Sequence, residues 1–285
     1  MTPPGTRFID IHVHPPVENM LAAFAPYLPA LEEQFRRTIE PMTADQLADY
    51  YRRRHGRAVL LAWDAERATG QPAFTSREVA SLVEAHPDVF IGFGSVDPTN
   101  GAAAVSGVHE AARMGLRGLK FHPGAQRFTP TDRVVYPVWE AAAELGLVCL
   151  VHTGFTALGA GSPGGMGVRI HQARPLPLDE VAAQFPQLTI IAAHAAWPWV
   201  EEVIAIARHK ANVFLDLSGW SPKQFAEPLR QAIAGPLRER TLFGSDFPFI
   251  TPDKWLADWE SLAMPEEVTR AILVENAARL LQLDR

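Results

Sequence analysis

The sequence predicts an α/β fold: one (β/α)8 barrel of the TIM type, with a helical insertion after its first strand. Three observations lead there. Short β-branched, apolar runs alternate with longer stretches of helical period. Eight such runs occur, most of them apolar without interruption, as parallel strands covered on both faces must be. The chain has 285 residues, against roughly 250 for a plain barrel. A doubly wound open sheet is the competing architecture. The lack of a Gly-x-Gly-x-x-Gly stretch after the first run argues against it.

In order, the predicted strands are Phe8–Val13, Arg57–Trp63, Val89–Val96, Leu116–Phe121, Leu147–His152, Leu188–His194, Asn212–Leu217 and Thr241–Ser245. Helices fall between them. Ser76–Ala85 puts Val79, Leu82 and Val83 on one face; Ala102–Met114 ends at Gly115, and Val135–Leu145 ends at Gly146. Leu178–Phe185, Trp199–His209, Pro222–Ile233 and Pro265–Leu281 follow the same logic. Gly and Pro punctuate several of these ends.

The residues beyond a plain barrel, roughly 35, gather in the first connection. Between Pro15 and Gly56, Ala30–Ile39 spaces Leu31, Phe35 and Ile39 by four, and Thr43–Arg54 begins with a capping threonine. A long loop in a compact domain is usually functional. This one follows a strand, so it belongs to the face where barrel enzymes build their sites. The expectation is a single domain over 1–285, with 15–56 as a helical cap. A second long connection, Thr153–Pro177, carries the run Gly159-Ala-Gly-Ser-Pro-Gly-Gly-Met-Gly167 on the same face.

Composition excludes several classes. Apolar residues make up 47% and charged residues 20%, with a formal charge of −6, which is not a disordered chain. No run approaches the ~18 apolar residues of a membrane span. Mild acidity gives no basic stripe for nucleic acid. One cysteine, Cys149, excludes an internal disulfide and fits a reducing compartment. Alternation turns Cys149 away from the barrel interior, as a small apolar residue. No signal peptide is read at the N-terminus. The expectation is a cytoplasmic enzyme with a small-molecule substrate, no nucleic acid and no membrane.

The residues able to do chemistry lie at strand ends. Asp10-Ile-His12-Val-His14 ends the first strand; two positions apart, His12 and His14 share a face. Facing inward, they converge as a divalent metal requires. The bare triplet is common by chance; the preceding Asp10 and the strand-end position make it informative. His152 ends the fifth strand and His194 the sixth. Either alone is as readily a satisfied core histidine. Asp246 ends the eighth, where Pro248 and Pro252 delay the next helix and weaken a helix-cap explanation. In a closed barrel these four strand ends meet in one pocket. Lys120 and His122, at the end of the fourth strand, face the same way if the strand continues. Lys120 either bridges metals as a carbamate, binds a substrate anion, or pairs with an acid.

These motifs, in this order, resemble the amidohydrolase superfamily, in the amidohydrolase-related branch that includes aminocarboxymuconate semialdehyde decarboxylase. The likeness runs from Asp10-Ile-His-Val-His14 through Gly118-Leu-Lys-Phe-His122-Pro, His152-Thr-Gly, Ala193-His194, Asp216-Leu-Ser-Gly219 and Gly244-Ser-Asp-Phe-Pro248 to Glu275-Asn-Ala-Ala-Arg-Leu-Leu281. By that resemblance His12, His14, His152 and Asp246 bind one divalent metal, zinc first and manganese second, and His194 and Asp246 are catalytic. A homodimer is also implied by resemblance. Further stretches, including Arg174-Pro, Ala196-Trp-Pro-Trp199, Asp216-Leu-Ser-Gly-Trp220 and Phe243-Gly-Ser-Asp-Phe-Pro-Phe249, resemble 4-hydroxyphenyl-β-ketoacyl-CoA hydrolases.

The leading expectation is therefore a metal-dependent hydrolase. A metal-activated water would cleave the C–C bond of an aromatic β-ketoacyl-CoA, with an oxyanion stabilised beside it. In this reading the Gly-rich loop with Arg169 and Arg174 holds CoA phosphates, or those arginines are merely solvent-exposed. Trp197, Trp199, Trp220, Phe247 and Phe249 are candidates for an aromatic wall, and His122 touches substrate. The alternatives are non-oxidative decarboxylation of an aromatic or unsaturated acid, and lactone hydrolysis.

Overall fold

The computed structural model describes residues 5–283. Eight parallel strands follow one another in sequence order: β1 (Phe8–Val13), β2 (Gly56–Leu61), β3 (Phe90–Gly94), β4 (Gly118–Phe121), β5 (Val148–His152), β6 (Ile190–Ala193), β7 (Val213–Asp216) and β8 (Thr241–Leu242). The last strand returns to the first. Ile11 N–H donates to the Phe243 carbonyl at 3.1 Å, and Asp246 N–H to the His12 carbonyl at 3.1 Å. The sheet is thereby a barrel, as the sequence predicts.

The helices are α1 (Glu18–Phe24), α2 (Leu28–Phe35), α3 (Ala44–Arg52), α4 (Glu66–Thr69), α5 (Ser76–Ala85), α6 (Ala102–Arg113), α7 (Pro123–Gln126), α8 (Tyr136–Glu144), α9 (Leu176–Gln184), α10 (Val200–His209), α11 (Glu227–Ala234), α12 (Pro252–Glu260), α13 (Glu266–Arg270) and α14 (Asn276–Leu280). Two apolar layers hold them together. Ile9, Ile11, Val59, Leu61, Ile91, Phe93, Val148 and Leu150 fill one side of the strands. Leu60, Phe90, Leu119, Phe121, Cys149, Val151 and Leu215 pack on the other side with Val79, Val108, Trp139 and Val203 from the helices. Cys149 therefore faces the helices, and burial holds its thiol well above the ordinary range.

The first connection departs from expectation in detail. It contains three helices rather than two, α1 being the addition. The predicted Ala30–Ile39 helix is α2, displaced toward the N-terminus, because Arg36 adopts a left-handed φ of 50° and stops it. Thr43 caps α3 through a full capping box with Gln46, so that end is as the sequence implies. The predicted Pro265–Leu281 helix is α13 and α14 joined by a π-turn over Ala271–Glu275. Helix α12 was not anticipated; Thr251 accepts from Lys254 N–H and Pro252 fills the first turn. Among the described residues no helix is long and apolar enough to cross a membrane.

Candidate active site

Strands β6 and β8 stop short of their predicted C-terminal ends, and the residues there that could do chemistry leave the ladder. Strand β6 stops at Ala193, and His194, Ala195 and Ala196 follow with φ of 66°, 50° and 56°. Three consecutive left-handed residues that are not glycine are strained by about 1–3 kcal/mol each. This turn packs tightly against Gly154, where a Cβ would meet the Trp197 carbonyl at 2.4 Å. It aims His194 Nδ1 at Ser218 Oγ, 2.9 Å away. Asp246 is also left-handed, with φ of 69°.

Strand β1 needs its own irregularity. Plain alternation from the inward Ile9 and Ile11 would turn His12 outward. The register with β2 shifts between Asp10 and Val13, and such a bulge re-aims side chains. His12 then joins the interior, while Asp10 accepts from Tyr51 of α3 at 2.9 Å. Asp10 also accepts from Ser245, through its backbone N–H at 2.9 Å and its hydroxyl at 2.5 Å. Burial raises its carboxyl to about 7, against those hydrogen bonds.

The site centres on three residues. One ligand atom from each of His12, His14 and Asp246 lies within 4.8 Å of the others. His12 Nε2 and His14 Nε2 are each 3.5 Å from Asp246 Oδ1. That spacing is long for a good hydrogen bond. It matches ligand atoms arranged tetrahedrally around a shared ion at 2.0–2.1 Å, which would stand about 3.4 Å apart. The opposite nitrogen of His12, Nδ1, is 2.6 Å from Asp216 Oδ2. A carboxylate only accepts, so the proton is on Nδ1 and the lone pair on Nε2 faces Asp246 and Lys120. Burial holds His12, His14, His122, His152 and His194 well below the ordinary imidazole range. Neutral imidazole is the ligand form. The donor set therefore fits a divalent ion. A second grouping, His12 with His194 and Asp216, is already joined by hydrogen bonds through Ser218.

His152 lines the same cavity. Its nitrogens are not part of the close trio, and its buried Nε2 has no hydrogen-bond partner among the described residues. Its ring stacks on His122 at 3.8 Å and faces His194 at 4.6 Å. Lys120 is 1% exposed, and its Nζ lies 2.9 Å from His12 Nε2. One lone pair cannot serve both, so Lys120 and an ion are alternatives at that atom. Burial lowers the lysine's affinity for its proton, while Asp246 and Asp216 oppose the loss. Burial in turn pushes Asp246 up, against the pull of Lys120.

Above this cluster opens a cavity of about 570 Å³. Its walls include Phe24 and Phe35 from the first connection, Trp63 after β2, Phe155, Trp220 and Phe249. His14 is ringed by Phe24, Trp63 and Phe249, at 5.5, 6.2 and 6.1 Å between centroids. Arg36, Arg37 and Lys254 stand at the polar part of the lining.

Several expected site residues lie elsewhere. Arg169 and Arg174 are exposed and do not line the cavity; Arg174 pairs with Glu202 at 3.0 Å instead. Phe247 is buried against Tyr50 and Tyr51, at 5.1 and 6.1 Å, and Phe249 takes the place on the wall. Trp199 is also off the wall, and Trp197 is 49% exposed beside Trp220. Lys120, His122, His152, His194, Trp220 and Asp246 all reach the cavity. Sequence reasoning gave no role to Asp216, Ser218, Phe24 or Trp63. The run Asp216-Leu-Ser-Gly219 at a strand end was the available signal for the first two.

The chain belongs to the amidohydrolase family, whose profile matches residues 9–283, and is an enzyme of that superfamily. No curated protein sequence matches it. Among solved structures it is similar to an uncharacterised TIM-barrel protein of Bordetella bronchiseptica, with 24% identity over 98% of this chain and 99% of that one, at a TM-score of 0.78. It is also similar to a dihydroxybenzoic acid decarboxylase of Polaromonas that holds manganese and the inhibitor 2-nitroresorcinol (19% identity, 98% and 97% coverage, TM-score 0.73). A third is 5-carboxyvanillate decarboxylase of Sphingomonas paucimobilis (19% identity, 98% and 99% coverage, TM-score 0.67). At these identities the shared property is the fold.

Proposed function

We propose that this member of the amidohydrolase family is a metal-dependent, non-oxidative decarboxylase of an aromatic carboxylic acid. The observation that carries the reading is the cavity itself. Aromatic walls lead down to a buried carboxyl, Asp246, with a buried lysine beside it. Two of the similar structures are aromatic-acid decarboxylases by name, which supports this reading over thioester hydrolysis. The CoA reading also loses the two arginines expected to hold phosphates.

A divalent ion held by His12, His14 and Asp246, with His152 beside them, would polarise substrate oxygens when bound. Zinc and manganese both suit imidazole and carboxylate donors. The chain's own residues do the rest. Phe24, Trp63 and Phe249 hold the ring and exclude water. Lys120 donates to the carboxylate that will leave. Asp246 turns Oδ1 to the histidines and Oδ2 toward Gly219, so Oδ2 carries the proton. It passes that proton to the ring carbon bearing the carboxylate. The ring–carboxyl bond then breaks, carbon dioxide departs, and the electron pair restores the aromatic ring. His194, fixed by Ser218, stands beside the reacting group as a hydrogen-bonding partner.

The test is product chemistry. Metal-loaded protein is incubated in heavy water with hydroxylated benzoates and, separately, with an aroyl-acetyl-CoA. Carbon dioxide release with one deuterium at the vacated ring position is the expected result. Aromatic acid and acetyl-CoA from the thioester, with no decarboxylation, would restore the hydrolase. One ion per chain is expected; two would give Lys120 a bridging carbamate.

A further inference from the structure

His122 is set apart from the other cavity imidazoles by how its ring is held. It is the residue before α7, and its Nδ1 accepts the Ala125 backbone N–H at 3.1 Å. Its backbone N–H donates to Gln126 Oε1 at 2.8 Å. The Gln126 amide is fixed in turn, because Nε2 donates to the carbonyls of Asp64 and Val96 at 2.6 and 2.9 Å. One ring face lies on His152, and Trp63 meets it edge-on at 5.4 Å.

A nitrogen that accepts carries the lone pair, so the proton of this neutral ring is on Nε2. An Nε2 with a proton cannot bind a metal. Its only hydrogen-bond partner among the described residues is Thr156 Oγ1, at 3.3 Å, and that oxygen already accepts from Leu158 N–H at 3.2 Å. The ring is 4% exposed and lines the cavity. A buried donor with one long bond is thus presented to whatever binds. Lys120, two residues earlier on the same wall, makes that place electropositive.

We propose that His122 is a specificity residue whose Nε2–H donates to an anionic oxygen of the bound substrate, either the carboxylate or an ionised ring hydroxyl. This rests on the aromatic-acid reading. Loss of one such bond to a charged oxygen predicts about 10- to 100-fold weaker binding.

The test uses zinc-loaded full-length protein and three probes: benzoate, resorcinol and 2,6-dihydroxybenzoate. His122→Asn keeps the cap, since asparagine accepts from the same backbone N–H, but removes the donor from the cavity. Calorimetry should show unchanged metal content and the stated loss of affinity. A loss for benzoate and not resorcinol assigns the carboxylate; the reverse assigns the ring oxygen. Nitrogen-15 spectra of wild type should place the proton on Nε2, with a shift when the probe is added. This readout stands even where the variant folds poorly. Unchanged affinity in His122→Asn, lost metal, a proton on Nδ1, or no binding of any probe to wild type would overturn the proposal. Protein whose probe binding depends on His122 but that releases no carbon dioxide sinks the decarboxylase reading alone. Decarboxylation with His122-independent binding sinks this proposal alone.

Discussion

Changing Asp216 to asparagine should weaken metal binding without replacing any residue that faces the metal. Asp216 is fully buried, and its Oδ2 is 2.6 Å from His12 Nδ1. Its Oδ1 accepts the Ser218 backbone N–H at 2.8 Å. An amide at this position has one oxygen and one nitrogen to place. The backbone N–H of Ser218 requires the oxygen, so the amide nitrogen is left facing His12. An N–H2 group there donates, His12 Nδ1 must accept, and the proton moves to Nε2, the atom meant for the ion. Substitutions of such supporting partners cost about 10- to 100-fold in metal affinity, or about 1.4–2.7 kcal/mol at 1.36 kcal/mol per decade. The loss of a hydrogen bond to a charged group, about 1.5–3 kcal/mol, agrees. Competition against a chromophoric chelator at pH 7.5 measures the effect, with circular dichroism as the folding control. Activity lost at limiting metal should return in excess metal. An affinity within twofold of wild type would show that Asp216 does not set the His12 tautomer.

Two further outcomes follow from the same cluster. Five buried histidines of the site have depressed proton affinity, so the stability they contribute is present above about pH 6.5 and lost as pH falls. Asp10, Asp216 and Asp246 are raised and act in the opposite sense, contributing most below their unfolded value and losing it toward pH 7. Between pH 6 and 5 the five histidines outnumber the three carboxyls, so unfolding takes up protons on balance and stability should fall as pH falls. Urea midpoints at pH 6 and pH 5 check this, and a higher midpoint at pH 5 would contradict it. Gly219→Ala should cut turnover by more than about 100-fold and lower stability by about 1–3 kcal/mol. Gly219 has φ of +76°, and a Cβ there would stand 2.5 Å from His194 Nδ1 and 3.3 Å from Asp246 Oδ2. Near-normal turnover would mean that His194 need not occupy its observed place.

How much of this was legible depended on whether a signal was local. His12, His14, His152, His194 and Asp246 lie at or just beyond the ends of apolar runs, so barrel closure brings them to one end of the barrel, but the β1 register shift and the left-handed turns that aim them have no local sequence cue. Phe247 and Phe249 show the limit. They lie on either side of one proline, with no sequence cue to separate them. The left-handed turn at Asp246 sends Phe247 against α3 and Phe249 to the cavity. Arg174 looked available for a ligand because its partner, Glu202, lies 28 positions away. The aromatic wall drew on Phe24 in α1, a helix with no side-chain cap bond at its start. The end of α2 was misplaced because its left-handed residue is Arg36, where glycine is the usual cue.

The site divides by origin. The polar floor comes from strand ends, where bulges and left-handed residues set the direction of each imidazole and carboxyl within tight limits. The apolar walls come largely from connections, and α1 and α2 between β1 and β2 supply a large share of them. The two parts are nevertheless joined. Asp10 holds Tyr51 of α3 on one side and Ser245, the neighbour of Asp246, on another. It also accepts the His12 backbone N–H at 3.2 Å. One buried carboxyl thus ties α3, between β1 and β2, to strand ends on both sides of the barrel closure. Changes in the wall at Phe35, which stacks on Phe249, can alter which ring is accepted and leave the floor intact, whereas Phe24 also packs on His14. Changes that pull α3 away cannot, because they reach His12 and Asp246 through Asp10. The wall residue of α2 can therefore vary independently of the floor, whereas α3 is bound to the floor's geometry through Asp10.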